Sequence, residues 1–194
     1  MGPKFTPSDL PGIFLVELSV VRDGRGFFSE SYRQSVYRDA GLPDFVQDNR
    51  VRSAPNTLRG LHAQWRRPQA KLIQVLAGEI FDVAVDIRQG SPTFLRWIGT
   101  RLRADEFRQL YVPTGFAHGY YVVGDGDAEV SYRCSDYYDP GGELCIRWDD
   151  PAIGIHWPTR DPLLSTRDRA AAAVMEQSTL LPLFSATERS RPPA

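Results

Sequence analysis

From about residue 13 to residue 135 the chain reads as short runs in which apolar and polar positions alternate. Each run is closed by Gly, Pro, Asp, Asn or Ser, and 16 Gly and 15 Pro set that spacing. A period of two between such breakers is the signature of half-buried β-strands. Ten strands are predicted on this basis: Ile13–Leu18, Gly26–Tyr32, Phe45–Arg52, Leu58–Gln64, Leu72–Ala77, Glu79–Ile87, Phe94–Leu102, Phe107–Val112, Ala117–Val123 and Glu129–Ser135. Their number and even spacing define an all-β sandwich or barrel. Helix is confined to the C-terminal part, where the alanine-rich segment Arg167–Gln177 follows the proline-rich link HWPTRDP and contains no breaker. The last residues, ERSRPPA, read as a frayed tail.

Strand parity then sorts side chains by face, because neighbours along a strand alternate. In EVSYRCSD the set Val130, Tyr132, Cys134 shares the apolar side, and Glu129, Ser131 and Arg133 oppose it. Gln47 and Asn49 share a face, as do His118, Tyr120 and Val122. Gln, Asn, His and Tyr inside one barrel are costly unless they bond to each other or to a ligand. The pattern therefore implies an internal pocket.

Composition narrows what that pocket holds. With 194 residues, one domain spans 1–194, with its core over about 12–160 and a helical segment over about 164–180. The 23 basic and 24 acidic side chains leave no field to recruit nucleic acid or an anionic membrane, so the ligand is a small molecule. Cys134 and Cys145 are too few for a disulfide framework and are not spaced as C-x-x-C, which fits a reducing compartment. No export signal or apolar stretch of membrane-spanning length is present, and the expected location is the cytoplasm.

The stretch PTGFAH, Pro113 to His118, matches the second cupin signature P-x-G-x-x-H. His62, Gln64, Lys71 and Gly78 fall on the frame of the first. Metal-binding cupins carry H-x-H followed by Glu on that frame; here Gln64 replaces the second His and Lys71 takes the carboxylate's place. An ammonium among the would-be ligands repels a divalent ion, so no metal is expected.

Longer stretches carry a more specific resemblance: RGFFSESY, FVQDN, TLRGLHAQ, AKLIQVLAGEIFDVAVDIRQGSPTF, QLYVPTGFAHGY, SYRCSDYYDP, WDDPAIGIHWP and LLSTRD. In this order, from about Arg25 to Asp168, the chain resembles the dTDP-4-dehydrorhamnose 3,5-epimerase family. The resemblance implies a jelly-roll cupin barrel with a short C-terminal helix, forming a homodimer. Without metal or other cofactor, it would invert carbons flanking the 4-keto group of a dTDP-4-keto-6-deoxysugar. It also implies roles. His62 is the base that removes the proton α to the ketone, Asp168 orients and stabilises its imidazolium, Lys71 places charge near the enolate oxygen, and Tyr132 returns a proton from the opposite face. Arg25 and Arg59 match positions that grip the diphosphate; Phe28, Glu30, Gln47, Asn49 and Tyr138 match nucleotide contacts; His118 matches a residue lining the substrate.

Local sequence offers other readings beside these. Ser165-x-x-Asp168 has the spacing of a helix capping box, and Tyr132, His62 and His118 could be packed interior residues. Strict parity puts Arg59 and His62 on opposite faces unless Gly60 marks a bulge. Three departures from the family's usual text stand out: a His62-to-Lys71 interval one residue short that carries Trp65, Arg66 and Arg67, Val51 in place of a small hydroxyl residue, and Tyr120 in place of Phe. The same motifs serve enzymes that invert C3 or C5 alone. A non-catalytic sugar-nucleotide-binding cupin would need the barrel but not the His–Asp–Tyr–Lys set.

Overall fold

The computed structural model describes residues 2–184. Its strands are β1 (Lys4–Pro7), β2 (Phe14–Glu17), β3 (Val20–Asp23), β4 (Gly26–Ser29), β5 (Gln47–Ser53), β6 (Leu58–Gln64), β7 (Lys71–Ala77), β8 (Glu79–Asp86), β9 (Trp97–Arg103), β10 (Arg108–Val112), β11 (Phe116–Val123), β12 (Ala128–Cys134) and β13 (Glu143–Cys145). They build a sheet of order β1-β2-β10-β7-β12-β5, a second of order β13-β6-β11-β8-β9, and a separate β3-β4 hairpin. The neighbours within each sheet run antiparallel. This is the all-β jelly roll that the sequence implies.

Alternation decides what each sheet presents to the other. The facing sides carry Ile73 and Val75 of β7, Ile80 and Ala84 of β8, Leu110 and Val112 of β10, Phe116, Tyr120 and Val122 of β11, and Ala128 and Val130 of β12, which form the inter-sheet core. The outer faces are not left to water. Val83, Val85, Leu61 and Ala63 pack under Ile146, Ile153, Val174 and Leu181 from the C-terminal part. On the other sheet, Val16 and Leu72 lie under Tyr37 and Leu42. Tyr37 comes from the short helix α1 (Gln34–Asp39), an element the strand pattern does not announce. Strand β8 is covered on both faces, and every residue from Asp82 to Asp86 is buried.

All ten predicted strands are present with small boundary shifts. Phe94–Leu102 begins only at Trp97, because Leu95 takes a left-handed φ of 62° in the preceding turn. Three short strands escape the pattern, β1, β3 and β13, each too brief to show a period.

The predicted helix Arg167–Gln177 is not continuous. Helix α2 covers only Thr166–Arg169, residues 170–173 are not helical, and a 3-10 segment follows over Val174–Leu180. Ala172 bridges Ile146, with Arg147 N donating to its carbonyl at 3.0 Å, and Val174 N donates to Asp150 Oδ2 at 2.6 Å. Helix propensity favours alanine by only tenths of a kcal/mol per residue over other residues. Docking the backbone and burying Val174 and Leu181 against the outer sheet face outweighs that. The expected frayed tail lies outside the described residues.

Gly60 does mark a bulge. His118 pairs His62 while Tyr120 pairs Arg59, so two steps on β11 oppose three on β6. Gly60 sits at φ 129°, and a Cβ there would lie 2.6 Å from Gly119 Cα. Gly60→Ala is therefore expected to destabilise the fold by roughly 2–3 kcal/mol, from strained backbone and a clash with backbone that cannot retreat. Urea unfolding checks this, and a wild-type midpoint for the variant would contradict it.

Candidate active site

At one end of the space between the sheets the inward positions turn polar. A cavity of about 300 Å³ opens there, walled by His62 and Gln64 of β6, Lys71 of β7, Tyr132 and Cys134 of β12, and Gln47 and Asn49 of β5. Gln69, Tyr138 and Glu143 complete its rim. Pairing explains the company: Lys71 opposes Cys134, Tyr132 opposes Asn49, Cys145 opposes His62, and Glu143 opposes Gln64. Six of the residues singled out from sequence, His62, Lys71, Tyr132, Gln47, Asn49 and Tyr138, thus line one cavity. A second cleft, of about 380 Å³, lies beside Arg147, Arg160 and Arg169; of the predicted residues it touches only Asp168.

Asp168 is 5% exposed and its Oδ1 lies 2.6 Å from His62 Nε2. Its other oxygen accepts from Ser165 Oγ at 2.8 Å, and its backbone N donates back to that hydroxyl at 3.0 Å. The capping reading and the pairing reading of Asp168 are therefore both realised: the cap fixes the carboxylate that the imidazole meets. Burial alone would raise the Asp168 pKa, but the bonds from His62 and Ser165 more than offset it and hold the carboxyl below its ordinary range. An ionised carboxylate at Nε2 selects the tautomer with its proton there. Nδ1 then keeps a lone pair, and no described residue bonds to it. Cys145 Sγ, 3.6 Å from Asp168 Oδ1, adds a weak donor to the same oxygen.

Burial pushes the Tyr132 phenol up to about 12, helped by the neighbouring Cys134 and Tyr120, so it stays protonated and able to donate at neutral pH. Burial pulls the Lys71 ammonium below the ordinary lysine range, against the pull of Cys134, Glu143 and Asp82. On the β5 side of the cavity, Gln47 Nε2 donates to Asn49 Oδ1 at 3.1 Å, and Gln47 Oε1 accepts from Tyr138 N at 2.9 Å. Tyr138 OH donates to Glu143 Oε2 at 2.6 Å, and Arg167 pairs with the other oxygen of that carboxylate. The two polar atoms of Gln64 are buried and have no partner. An unsatisfied buried group costs about 1–3 kcal/mol.

The other residues singled out from sequence lie outside this cavity wall. His118 is in the barrel interior, but it does not line the cavity; it is buried against Asp82, with Nε2 2.9 Å from Oδ1, as the cross-strand neighbour of His62. The hydroxyl of Tyr120 goes to Ser53 Oγ at 3.0 Å, not to His118, and Ser53 accepts from Arg59 Nε at 2.9 Å. The bulge thus lets Tyr120 and Ser53 hold Arg59 at the edge of the site, outside the cavity wall. Arg25, Phe28 and Glu30 are not brought to this cavity within one chain. Arg25 is 91% exposed and chelates Asp23, Phe28 is 71% exposed on the β3-β4 hairpin, and Glu30 pairs with Arg33. Sequence reasoning missed Asp82, Glu143 and Arg167. An acid at an inward strand position gives Asp82 away, whereas Glu143 sits in a strand of three residues and Arg167 in a helix of four.

A jelly roll in which Gln and Lys occupy would-be ligand positions, with an imidazole–carboxylate pair and a protonated phenol on one cavity, has the architecture of a cupin-type isomerase. Residues 7–176 match the family model described as dTDP-4-dehydrorhamnose 3,5-epimerase. A dTDP-4-dehydrorhamnose 3,5-epimerase from Pseudomonas aeruginosa is 50% identical over 173 residues, covering 88% of this chain and 95% of that one. The crystal structure of a dTDP-6-deoxy-D-glucose-3,5-epimerase from Legionella pneumophila, in complex with dTDP-4-keto-L-rhamnose, superposes with a TM-score of 0.91 at 42% identity over 95% of this chain and 100% of that chain. A 4-keto-6-deoxy sugar epimerase from the novobiocin biosynthetic gene cluster of Streptomyces spheroides gives 0.88 at 34% identity, covering 95% and 94% of the two chains. The chain belongs to the dTDP-4-dehydrorhamnose 3,5-epimerase family.

The depressed Lys71 pKa sets an expectation for rate against pH. If its ammonium is the active form, kcat/KM falls on the alkaline side with a midpoint below 10.5, the ordinary lysine value. Lys71→Arg keeps the charge at any accessible pH, so its alkaline limb moves upward, towards the Tyr132 value of about 12. An alkaline limb unmoved in Lys71→Arg would detach Lys71 from the profile.

Proposed function

We propose that this protein epimerises a dTDP-4-keto-6-deoxy-hexose at C3, C5 or both through an enolate. One observation carries the reading: the His62–Asp168 pair, Lys71 and Tyr132 converge on a single cavity. His62 Nδ1 takes the proton from the carbon beside the ketone, and Asp168 stabilises the imidazolium that forms. The electron pair moves onto the 4-keto oxygen, where Lys71 provides positive charge. Tyr132 OH then delivers a proton to the opposite face, inverting the carbon, and the phenolate is reprotonated from water. No step requires a metal or an organic cofactor. The similarity to a 3'-monoepimerase from Streptomyces bikiniensis, with a TM-score of 0.87 at 33% identity, supports, as a second reading, inversion of one carbon only.

The substrate's nucleotide would meet Gln47, Asn49 and Tyr138, with Arg59 at the diphosphate. Arg25, Phe28 and Glu30 complete the same site only from a second copy of the chain. The exposed apolar residues beside them, Val21 at 67% and Phe27 at 62%, support burial of this hairpin in a homodimer. Light scattering is expected to give twice the 21.8 kDa chain mass; a monomer would leave these three residues without a role. Among the described residues no helix is long and apolar enough to cross a membrane, and two free cysteines suit work in the cytoplasm.

The test is proton NMR with dTDP-4-keto-6-deoxyglucose in deuterated water. Deuterium is expected at the carbons that invert, and C3 or C5 labelling alone would identify a single-carbon epimerase. His62→Asn is expected to slow exchange about a hundred- to ten-thousand-fold while nucleotide binding persists, and Asp168→Asn to fall in the same direction. Wild-type exchange in His62→Asn would remove it as the base.

A further inference from the structure

Gln64 is the cavity residue whose side-chain polar atoms are buried without a hydrogen-bond partner. Both Nε2 and Oε1 are shut from water without a hydrogen bond, and no other buried side-chain nitrogen or oxygen among the described residues is in that state. Several polar groups around it are committed elsewhere. Gln69 Nε2 donates to the Asp136 carbonyl at 2.7 Å, Gln47 and Asn49 bond to each other, and Glu143 carries Tyr138 and Arg167. The cross-strand partner of Gln64 is Glu143, yet no bond joins the two side chains.

A carboxamide offers a donor and an acceptor side by side. Its natural complement is a ligand edge with an acceptor next to a donor. A phosphate fails this match, because its oxygens would face Oε1, and so does a metal ion, which Nε2–H cannot ligate. A ketone flanked by a hydroxyl fits both halves. The placement agrees: Gln64 follows His62 by two residues on the same face of β6, roughly 7 Å along the strand, and shares the wall with Lys71. That separation is about the width of a sugar ring.

We propose that Gln64 is a specificity-determining residue that reads the α-hydroxy-ketone edge of the sugar, Nε2–H donating to the 4-keto oxygen and Oε1 accepting from the C3 hydroxyl. The inference rests on the sugar-nucleotide epimerase reading above and adds the selected group, a free hydroxyl at C3. The carboxamide turns onto the sugar when the substrate enters, and its hydrogen bonds are made for the first time there. A 3-deoxy sugar leaves Oε1 unpaired, so it is disfavoured even for chemistry at C5.

The test compares dTDP-4-keto-6-deoxyglucose with its 3-deoxy analogue, reading deuterium uptake at the two carbons flanking the ketone, C3 and C5, which carry exchangeable hydrogen in both sugars. Wild-type enzyme is expected to favour the 3-hydroxy sugar in kcat/KM by about ten- to hundredfold, the effect of one buried hydrogen-bonding group left unpaired. In Gln64→Met, which keeps length and volume without polar atoms, the preference is expected to fall to within about threefold, with a thermal midpoint no lower than wild type. A preference retained in Gln64→Met overturns the inference and leaves the epimerase reading intact. Equal use of both sugars by wild type also overturns it, whether or not the variant folds. No exchange with either sugar overturns the epimerase reading and this inference together.

Discussion

The contact on which the rest depends is the 2.6 Å bond between His62 Nε2 and Asp168 Oδ1, joining residues 106 positions apart. His62 arrives on a strand inside the barrel, Asp168 on a four-residue helix laid across its end. For the carboxylate to arrive, Ser165 must cap that helix, and residues 170–173 must leave helical geometry so that Ala172 meets Ile146. The C-terminal part also covers Val83, Val85 and Leu61 through Val174 and Leu181. Burial of an outer sheet face and placement of a carboxylate beside the His62 imidazole are therefore one event.

A second constraint is that a barrel interior must be either apolar or fully paired. Here the space between the sheets is divided along its length. Ile73, Val75, Val130 and Ala128 fill one end, while Lys71, Cys134 and Tyr132 continue the same strands into the cavity. The apolar end supplies most of the burial that stabilises the fold. The polar end is held by specific bonds, among them His118 to Asp82 and the Arg59–Ser53–Tyr120 chain. Low dielectric there accounts for both the raised Tyr132 and the lowered Lys71 pKa, since burial disfavours the charged form of each.

Most of the sheet was legible because period two survives wherever one face is buried, and parity alone placed Tyr132, Cys134, Gln47 and Asn49 inward. The cupin frame marked His62, Gln64 and Lys71 as neighbours on one pocket, as the structure has them, and the roles expected of them came from the family resemblance. What stayed hidden has physical reasons. Strands of three or four residues, such as β1 and β13, show no period. The alanine run was misread because its conformation is decided by docking to Ile146, a contact far away in sequence. The motif fixes which strand face His118 occupies but not its bond to Asp82, a partner that only the fold brings beside it. Arg25, Phe28 and Glu30 project from a hairpin that a single chain leaves exposed, so a site assembled within one chain cannot include them.

The central claim is that proton removal and proton return use different faces and different residues. The measurement that reaches it most directly is the ratio of deuterium uptake to epimer formation in Tyr132→Phe against wild type. The substitution keeps the ring and its packing and deletes only the hydroxyl. If His62 alone serves one face, the variant still exchanges solvent deuterium into the substrate while inversion slows, and the ratio rises. An unchanged ratio in a folded variant would show that the phenol is not the second proton donor, and the two-faced account would fail.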